Sequence, residues 1–599
     1  MPSARRLLPG WLRDYRRQTL AADLSAGLIV TVLVIPQSLA YALLAGLPPQ
    51  VGLYVSIFPV IAYALLGSSR VQAVGPVAVT AIMTYAVLAP LAAPGSPRYL
   101  MLAAALALLS GVILFACGAL RLGFLAQLLS RPVISGFISG SAILIVISQI
   151  KHLFGLPRSA GNPWQVARDL LSQLPASHLP TLLIGLAALL TLILARSGLA
   201  WLLLRIGIGA GGAALAVRLA PVLVVAAGTL AVIVFDLDRS RGVAVVGPVR
   251  EGLPGVDFFI PDYATLQVLI VPAALMALIG MVQNITMAQV LAIKRRERID
   301  ANAELRGLGA ANVVAAFAGG MPVGGGLSRS AVNVAAGAQT PLASIVSALS
   351  MIAVVAGAAH YFARVPLAVL AASIVIAAYS MVDLRALRHA WAYDRADGLA
   401  WLGTAGGVLV FGLEIGIGLG VVFSMGTLLL RASTPHIALI GRIPGSEHFR
   451  NVERHAVETI AGVIFLRIDE SLFFGNLGAV EARLNQALHA SDEVRDVVLV
   501  MSAVNRMDAT AAEVLCELNR DLADRHTRLH LAEVKGPVQD RLQNAELWTS
   551  LSGEVFLSAN AAFEKLNKAT LASAEPAAPR RVCAESHRAQ PGLPSTGKR

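Results

Sequence analysis

Met321-Pro-Val-Gly-Gly-Gly-Leu-Ser-Arg-Ser330 is a glycine-rich break between two apolar segments of membrane-spanning character. In hydrocarbon, irregular backbone persists only where protein buries it or where it lines a water-filled cavity. A single ionisable side chain, Arg329, follows the three glycines and precedes the apolar run Ala331-Val-Asn-Val-Ala-Ala336. A charge at membrane depth marks a functional site by default. Glycines ahead of a helix start leave backbone N–H groups free and present the positive end of the helix dipole. Glycines, helix start and guanidinium together favour an anion. Ser328 suits a helix N-cap, a role compatible with anion contact because both place its hydroxyl at the helix mouth.

A second break, Ser68-Ser-Arg-Val-Gln-Ala-Val-Gly-Pro-Val77, opens another apolar run from Ala78 to Leu88. Pro76 fits the first turn of a helix, where its missing N–H would have no partner anyway. Gly75 and Gly326 lie about 250 residues apart, and interrupted apolar segments in corresponding halves point to an inverted-repeat transporter with its site at the midplane.

Composition places the whole chain in the same class. Of its 599 residues 56% are hydrophobic and only 14% charged, against about 25% charged in a soluble domain; the mean hydropathy is +0.69. Roughly fourteen apolar runs, some short or broken, recur between residues 23 and 434, judged against the ~20 residues a span needs. The segment 197–238 is expected to be a cytoplasmic connection or surface helix, because Arg205 and several glycines interrupt it. Residues 1–22 read as a basic cytoplasmic N-terminus, 23–434 as the transmembrane anion-transport domain, 435–567 as a cytoplasmic α/β domain and 568–599 as a disordered tail.

The net charge of +12 is read as a topology signal and not as nucleic-acid binding. Arg5, Arg6, Arg13, Arg16 and Arg17 precede the first span and place the N-terminus inside; later loops on that side carry most of the remaining Lys and Arg. An even number of spans then leaves the C-terminal domain in the cytoplasm. The first apolar run is too long for a signal-peptide core. Cys117, Cys516 and Cys583 have no disulfide or metal spacing, and no His or carboxylate cluster has ligand spacing. No cofactor is expected. Neither a nucleophile–base pair nor a P-loop is present, so the chain reads as no enzyme and transport is expected to run on gradients.

Several motifs in order resemble the sulfate permease (SulP) family of anion transporters. Ile35-Pro-Gln-Ser-Leu-Ala-Tyr-Ala42 is similar to that family's first helix, and Pro49-Gln-Val-Gly-Leu-Tyr54, Gly67-Ser-Ser-Arg70 and Val74-Gly-Pro-Val77 to its second and third. Ile299-Asp-Ala-Asn-Ala-Glu-Leu-Arg-Gly-Leu-Gly309 and Gly326-Leu-Ser-Arg-Ser-Ala-Val332 resemble its second half. Phe465-Leu-Arg-Ile-Asp-Glu-Ser-Leu-Phe-Phe-Gly-Asn476 and Met507-Asp-Ala-Thr510 resemble the appended STAS domain. The resemblance implies a polytopic α-helical membrane protein with fourteen transmembrane segments in a seven-plus-seven inverted repeat of core and gate domains, followed by a cytoplasmic STAS domain. It also implies a homodimer in the inner membrane, with sulfate, bicarbonate or a C4-dicarboxylate as cargo and a regulator docking on the STAS domain.

On this reading Gln37 and Tyr41, four apart on one helix face, line the site opposite the two half-helices. Val77, Ala78, Gly326, Leu327, Ser328 and Arg329 supply backbone N–H groups, hydroxyl and charge. Gln283 departs from the family, which usually has a carboxylate there; Met281-Val-Gln-Asn-Ile-Thr286 offers only neutral groups, so proton or sodium coupling through this position is in doubt. Asp23 is expected to serve as a charge at the N-terminus of its own helix. Asp508 is expected to cap a helix, since Ala509 stands where related bacterial regulators place a phosphorylatable serine. Lys294-Arg-Arg-Glu-Arg298 reads as a positive-inside loop able to meet anionic lipid.

Overall fold

The computed structural model describes residues 10–13, 15, 19–127, 129–156, 163–207, 209–250, 252–253, 255, 262–490 and 493–573. The basic residues expected to set the N-terminal topology, Arg13 apart, and the tail from 574 lie outside the described residues. The chain forms two units, Met1–Met425 and Gly426–Arg599.

The first unit is helical. Its fourteen spans are α1 (Leu20–Leu44), α2 (Pro49–Leu66, interrupted after Tyr54), α3 (Ala78–Leu88), α4 (Pro97–Ala119), α5 (Arg131–Phe154), α6 (Leu179–Arg205) and α7 (Ala210–Val234) in the first half. The second half holds α8 (Tyr263–Arg295), α9 (Ala301–Phe317), α10 (Leu327–Ala335), α11 (Leu342–Gly357), α12 (Leu367–Tyr379), α13 (Arg395–Phe411) and α14 (Leu413–Ser433). Eight of the described helices are long and apolar enough to cross a membrane by length and composition alone. The short ones include α3 and α10, the third helix of each half, and each follows one of the glycine-bearing breaks.

Packing sorts the spans into two bodies. α4 packs on α8 and α9, α2 on α9, and α1 on α11; separately, α5 packs on α12 and α13, and α6 on α12. These are the core and gate halves of an inverted repeat. Small residues permit close crossing: a Cβ added to Gly111 on α4 would stand 2.9 Å from the Gly309 carbonyl on α9, and one on Gly309 would stand 2.8 Å from the Gly111 carbonyl. Lipid offers no hydrophobic drive between helices, so such approach for dispersion is what holds them.

Two expectations change here. Residues 210–234 form α7, which packs on α6, α1 and α12; they are a helix of the bundle and not a surface connection. Arg205 ends α6 and the glycines fall at the junction, leaving Leu219–Val234 as a clean apolar run. Asp23 is fully buried in the first turn of α1, yet its hydrogen bonds go across the bundle. It accepts from Gln339 N (2.7 Å), Thr340 N (3.0 Å) and Thr340 Oγ1 (2.6 Å), and so caps the turn into α11. The side chain of Lys294 lies outside the described residues; its neighbour Arg295 donates to Ala338 O and Gln339 Oε1, tying α8 to that same turn.

Sequence reading passed over Glu304, which is completely buried on α9. It accepts hydrogen bonds from the Tyr63 hydroxyl (2.5 Å), Ser68 N (2.9 Å), Ser68 Oγ (2.8 Å), Ser69 N (2.8 Å) and Asn284 Nδ2 (2.9 Å). A buried carboxylate is tolerable only with this degree of satisfaction.

The second unit is a six-stranded sheet in the order β4-β3-β5-β6-β7-β8. Its strands are β3 (Ile437–Arg442), β4 (Phe449–Asn451), β5 (Val463–Ile468), β6 (Asp496–Val500), β7 (Arg528–Ala532) and β8 (Val555–Phe556). The last four are parallel and β3 joins antiparallel. α15 (Leu477–His489), α16 (Ala509–Asp524), α17 (Gly536–Gln543) and α18 (Ala559–Ser573) accompany it. α18 continues past the expected edge at 567. Asp508 caps α16 as expected, accepting from Ala511 N at 2.8 Å, and also from Phe474 N at 3.0 Å.

Glu304→Ala is expected to leave the Tyr63 hydroxyl, two amides and the Asn284 amide unpaired at about 1–3 kcal/mol each. The purified protein should lose at least about 3 kcal/mol of stability, read as a lowered unfolding temperature in detergent. An unchanged unfolding temperature would show that the core does without this pin.

Candidate functional site

The two breaks meet. β1 (Val74–Gly75) pairs antiparallel with β2 (Gly324–Gly325), Val74 opposite Gly325 and Gly75 opposite Gly324. Because the pairing is antiparallel, α3 and α10 leave the ladder in opposite directions with their N-terminal ends toward each other. α3 starts from Val77 and α10 from Gly326, and neither start has a side-chain cap. Their first N–H groups are thus uncommitted donors at the positive ends of two dipoles. Gly326, and not Ser328, is the N-cap; the side chains of Leu327 and Ser328 lie outside the described residues. Val77 packs over the glycines, its methyl groups 3.1 Å from where a Gly324 Cβ would stand, and Ala78 is buried in the apolar core.

Arg329 is only 6% exposed. Its Nη1 donates to Val74 O and its Nη2 to Pro76 O, each at 3.2 Å. The fork expected to face an anion is therefore engaged with carbonyls that the break in α3's backbone leaves without helical partners. Its Nε is buried without a partner, and among the described residues no carboxylate pairs with the guanidinium. The charge stays uncompensated although the terminal nitrogens are used. Gly75 is what admits it, since a Cβ there would collide with Nη1.

Gly326, together with residues the sequence did not single out, completes the lacing. Ser330 Oγ accepts from Ala73 N (3.0 Å), Asn333 Nδ2 donates to Val71 O (2.9 Å), and Gly326 N donates to Ala73 O (3.1 Å). Gln72 Nε2 donates to Asn284 Oδ1 (2.6 Å), and Asn284 continues to Glu304. The available signal was their position: Ser330 and Asn333 are three apart on α10, one polar face of a short apolar helix.

Beside Arg329 lies a cavity of about 310 Å³ between α1, α6, α7, α10 and α12, lined by Gln37, Arg196, Pro221, Arg329 and apolar side chains. Gln37 and Arg329 are thus brought together. Tyr41 is buried on the same helix, packed in the apolar core and not among the cavity-lining residues. Gln283 is placed elsewhere. It lines a separate gap of about 20 Å³ with Leu129, Val133, Phe137 and Ile417, between α5, α8 and α14. The polar group of α8 that reaches the crossing is the adjacent Asn284, which lies against Gly325.

Gly75→Ala is expected to expel the guanidinium and weaken binding of small oxyanions by at least about tenfold while the protein stays folded. Arg329→Lys should lose more than half of the binding, because an ammonium keeps the charge but not a planar grip on two carbonyls. Both are read by anion titration of purified protein; wild-type affinity in Gly75→Ala would separate binding from this geometry.

Known proteins carry the same plan. The chain matches the sulfate permease family over residues 20–404 and the STAS domain over 454–562. It is 34% identical over 540 residues to a probable sulfate transporter of Mycobacterium tuberculosis (strain CDC 1551 / Oshkosh), covering 89% of this chain and 93% of that protein. It is 32% identical over 537 residues to the chloroplastic sulfate transporter 4.1 of Arabidopsis thaliana, covering 87% and 76%. Its fold is that of the murine Solute Carrier 26 family member A9 anion transporter in the inward-facing state, with a TM-score of 0.84 at 23% identity over 94% of each chain. The transmembrane domain of the cyanobacterial bicarbonate transporter BicA aligns with a TM-score of 0.56 at 22% identity, over 69% of this chain and 99% of that one.

Proposed function

The chain belongs to the sulfate permease family of multi-pass anion transporters, and we propose that its cargo is a small inorganic oxyanion, sulfate first. The observation that carries this reading is Arg329: a buried, uncompensated charge beside two uncapped helix starts, at the wall of a cavity that no Asp or Glu lines. Desolvating an unpaired charge costs several kcal/mol. The Val74 and Pro76 carbonyls offset part of that cost, and an anion in the cavity offsets the rest. Gln37 on α1 and the backbone N–H groups that open α3 after Val77 and α10 after Gly326 frame the anion, and Arg329 supplies field more than fork. Sulfate is favoured by the names of the relatives in Mycobacterium and Arabidopsis.

The protein works in the inner membrane with both termini in the cytoplasm, as the distribution of Lys and Arg supports. It assembles as a homodimer, and its STAS domain receives a cytoplasmic regulator. Transport is not coupled through Gln283, because an amide does not titrate and its gap with Leu129 and Val133 is apolar.

The test is uptake of labelled sulfate into proteoliposomes at a fixed sulfate gradient, with proton and sodium gradients varied separately. Saturable uptake is expected, lost in Arg329→Ala and nearly indifferent to either gradient. Gln283→Glu should add a pH response, since a carboxyl titrates and an amide does not. Absence of uptake, or uptake that bicarbonate displaces better than sulfate, overturns the cargo. Strong gradient dependence in the wild type overturns the absence of coupling.

A further inference from the structure

The cavity holds a second guanidinium. Arg196 lines it together with Arg329, and the two differ in one respect that matters. Arg329 is buried at 6% exposure, whereas Arg196 is exposed and stands toward the C-terminal end of α6. No hydrogen bond or ion pair engages Arg196 among the described residues.

Its backbone is also unusual. Ala195–Leu199 is a π-helical stretch inside α6, and such bulges appear mostly as single turns at functional sites. The stretch begins at Ala195 and Arg196, the two residues that with Leu192 bring α6 to the cavity wall. A regular α-helix would shift the register of everything after the bulge relative to Leu192.

The electrostatics follow from the lining. Two positive charges face one cavity and no carboxylate lines it. They repel each other unless an anion is present. A cleft lined by one sign of charge with low-dielectric walls focuses the field and raises the local concentration of its counter-ion.

We propose that Arg196 is an outer capture station for the transported oxyanion at the mouth of the cavity, ahead of Arg329. The proposal rests on the reading of Arg329 as the anion site. Counting spans from a cytoplasmic N-terminus, α6 ends on the cytoplasmic side, so Arg196 serves entry from and release to the cytoplasm. Station and site act in sequence: the exposed arginine collects a hydrated anion by charge, and the buried one holds it after water is shed.

The experiment uses full-length protein in proteoliposomes, with sulfate as the probe and its KM measured separately for the cytoplasmic and external faces. Arg196→Gln is expected to raise the cytoplasmic-face KM on the order of tenfold and flatten its dependence on ionic strength. The external-face KM should move by less than about twofold. Arg196→Lys should restore most of the loss, because a capture station needs charge and not a fork. An unchanged cytoplasmic-face KM overturns the proposal, as does an equal rise on both faces. If Arg196 only grips a lipid phosphate, Arg196→Gln lowers thermal stability in the bilayer and leaves KM alone, which also overturns it. Wild type that takes up no sulfate sinks the reading of Arg329 itself; wild type that transports while Arg196→Gln behaves identically sinks only the outer station.

Discussion

Backbone that leaves the helix within a membrane must find its hydrogen bonds inside the protein, because hydrocarbon supplies none. Everything notable about the first unit follows from meeting that requirement at one place, the crossing of residues 71–76 with 324–326. The two breaks answer part of it with each other, as a two-residue antiparallel ladder. Side chains answer the rest: Ser330 for Ala73 N, Asn333 for Val71 O, Arg329 for Val74 O and Pro76 O. Apart from Ala73 N, which donates to Ser330, the donors of these side-chain bonds come from the second half of the chain and the acceptors from the first. An inverted repeat is what brings two such breaks together back to back.

This arrangement gives Arg329 two roles that a single substitution does not separate. As a tie it supplies two charge-assisted hydrogen bonds, each worth about 1.5–3 kcal/mol. As a charge it is buried with no carboxylate partner among the described residues. A neutral donor would serve the first role only. With both terminal nitrogens committed to carbonyls, what the side chain brings to the cavity wall is charge and not a fork.

A second polar chain runs from the crossing toward the end of α2. Gln72, Asn284 and Glu304 pass hydrogen bonds from beneath Gly325 to the Tyr63 hydroxyl and the amides of Ser68 and Ser69. It ties α2, α8 and α9 at one point, and in a low-dielectric interior a fully satisfied network rigidifies what it joins. The cavity lies along the contact of the core half with the gate helices α6, α7 and α12.

The sequence by itself determined the membrane class, the two breaks, the pairing of halves, the arginine of the second break and the appended α/β domain. Each of these is a matter of local composition, and hydrocarbon punishes exceptions so strongly that a glycine run with one arginine has few readings. It also placed Asp508 at a helix cap, where spacing alone decides. Only the tertiary structure decided where groups point across the bundle. Asp23 stands in the first turn of its helix yet caps a turn more than three hundred residues away. Gln283 and Asn284 are adjacent, and helix rotation sends the first to an apolar gap and the second to the crossing. The segment 197–238 looked like a connection because Arg205 and the glycines near it were read as interruptions, when they mark the junction between two spans. Arg329 was legible as a charge able to satisfy backbone carbonyls, but which carbonyls was not, because those it holds are about 250 residues distant. Such partners are set by how helices pack, and helix packing in a membrane depends on small residues whose contacts leave no periodic trace in the chain.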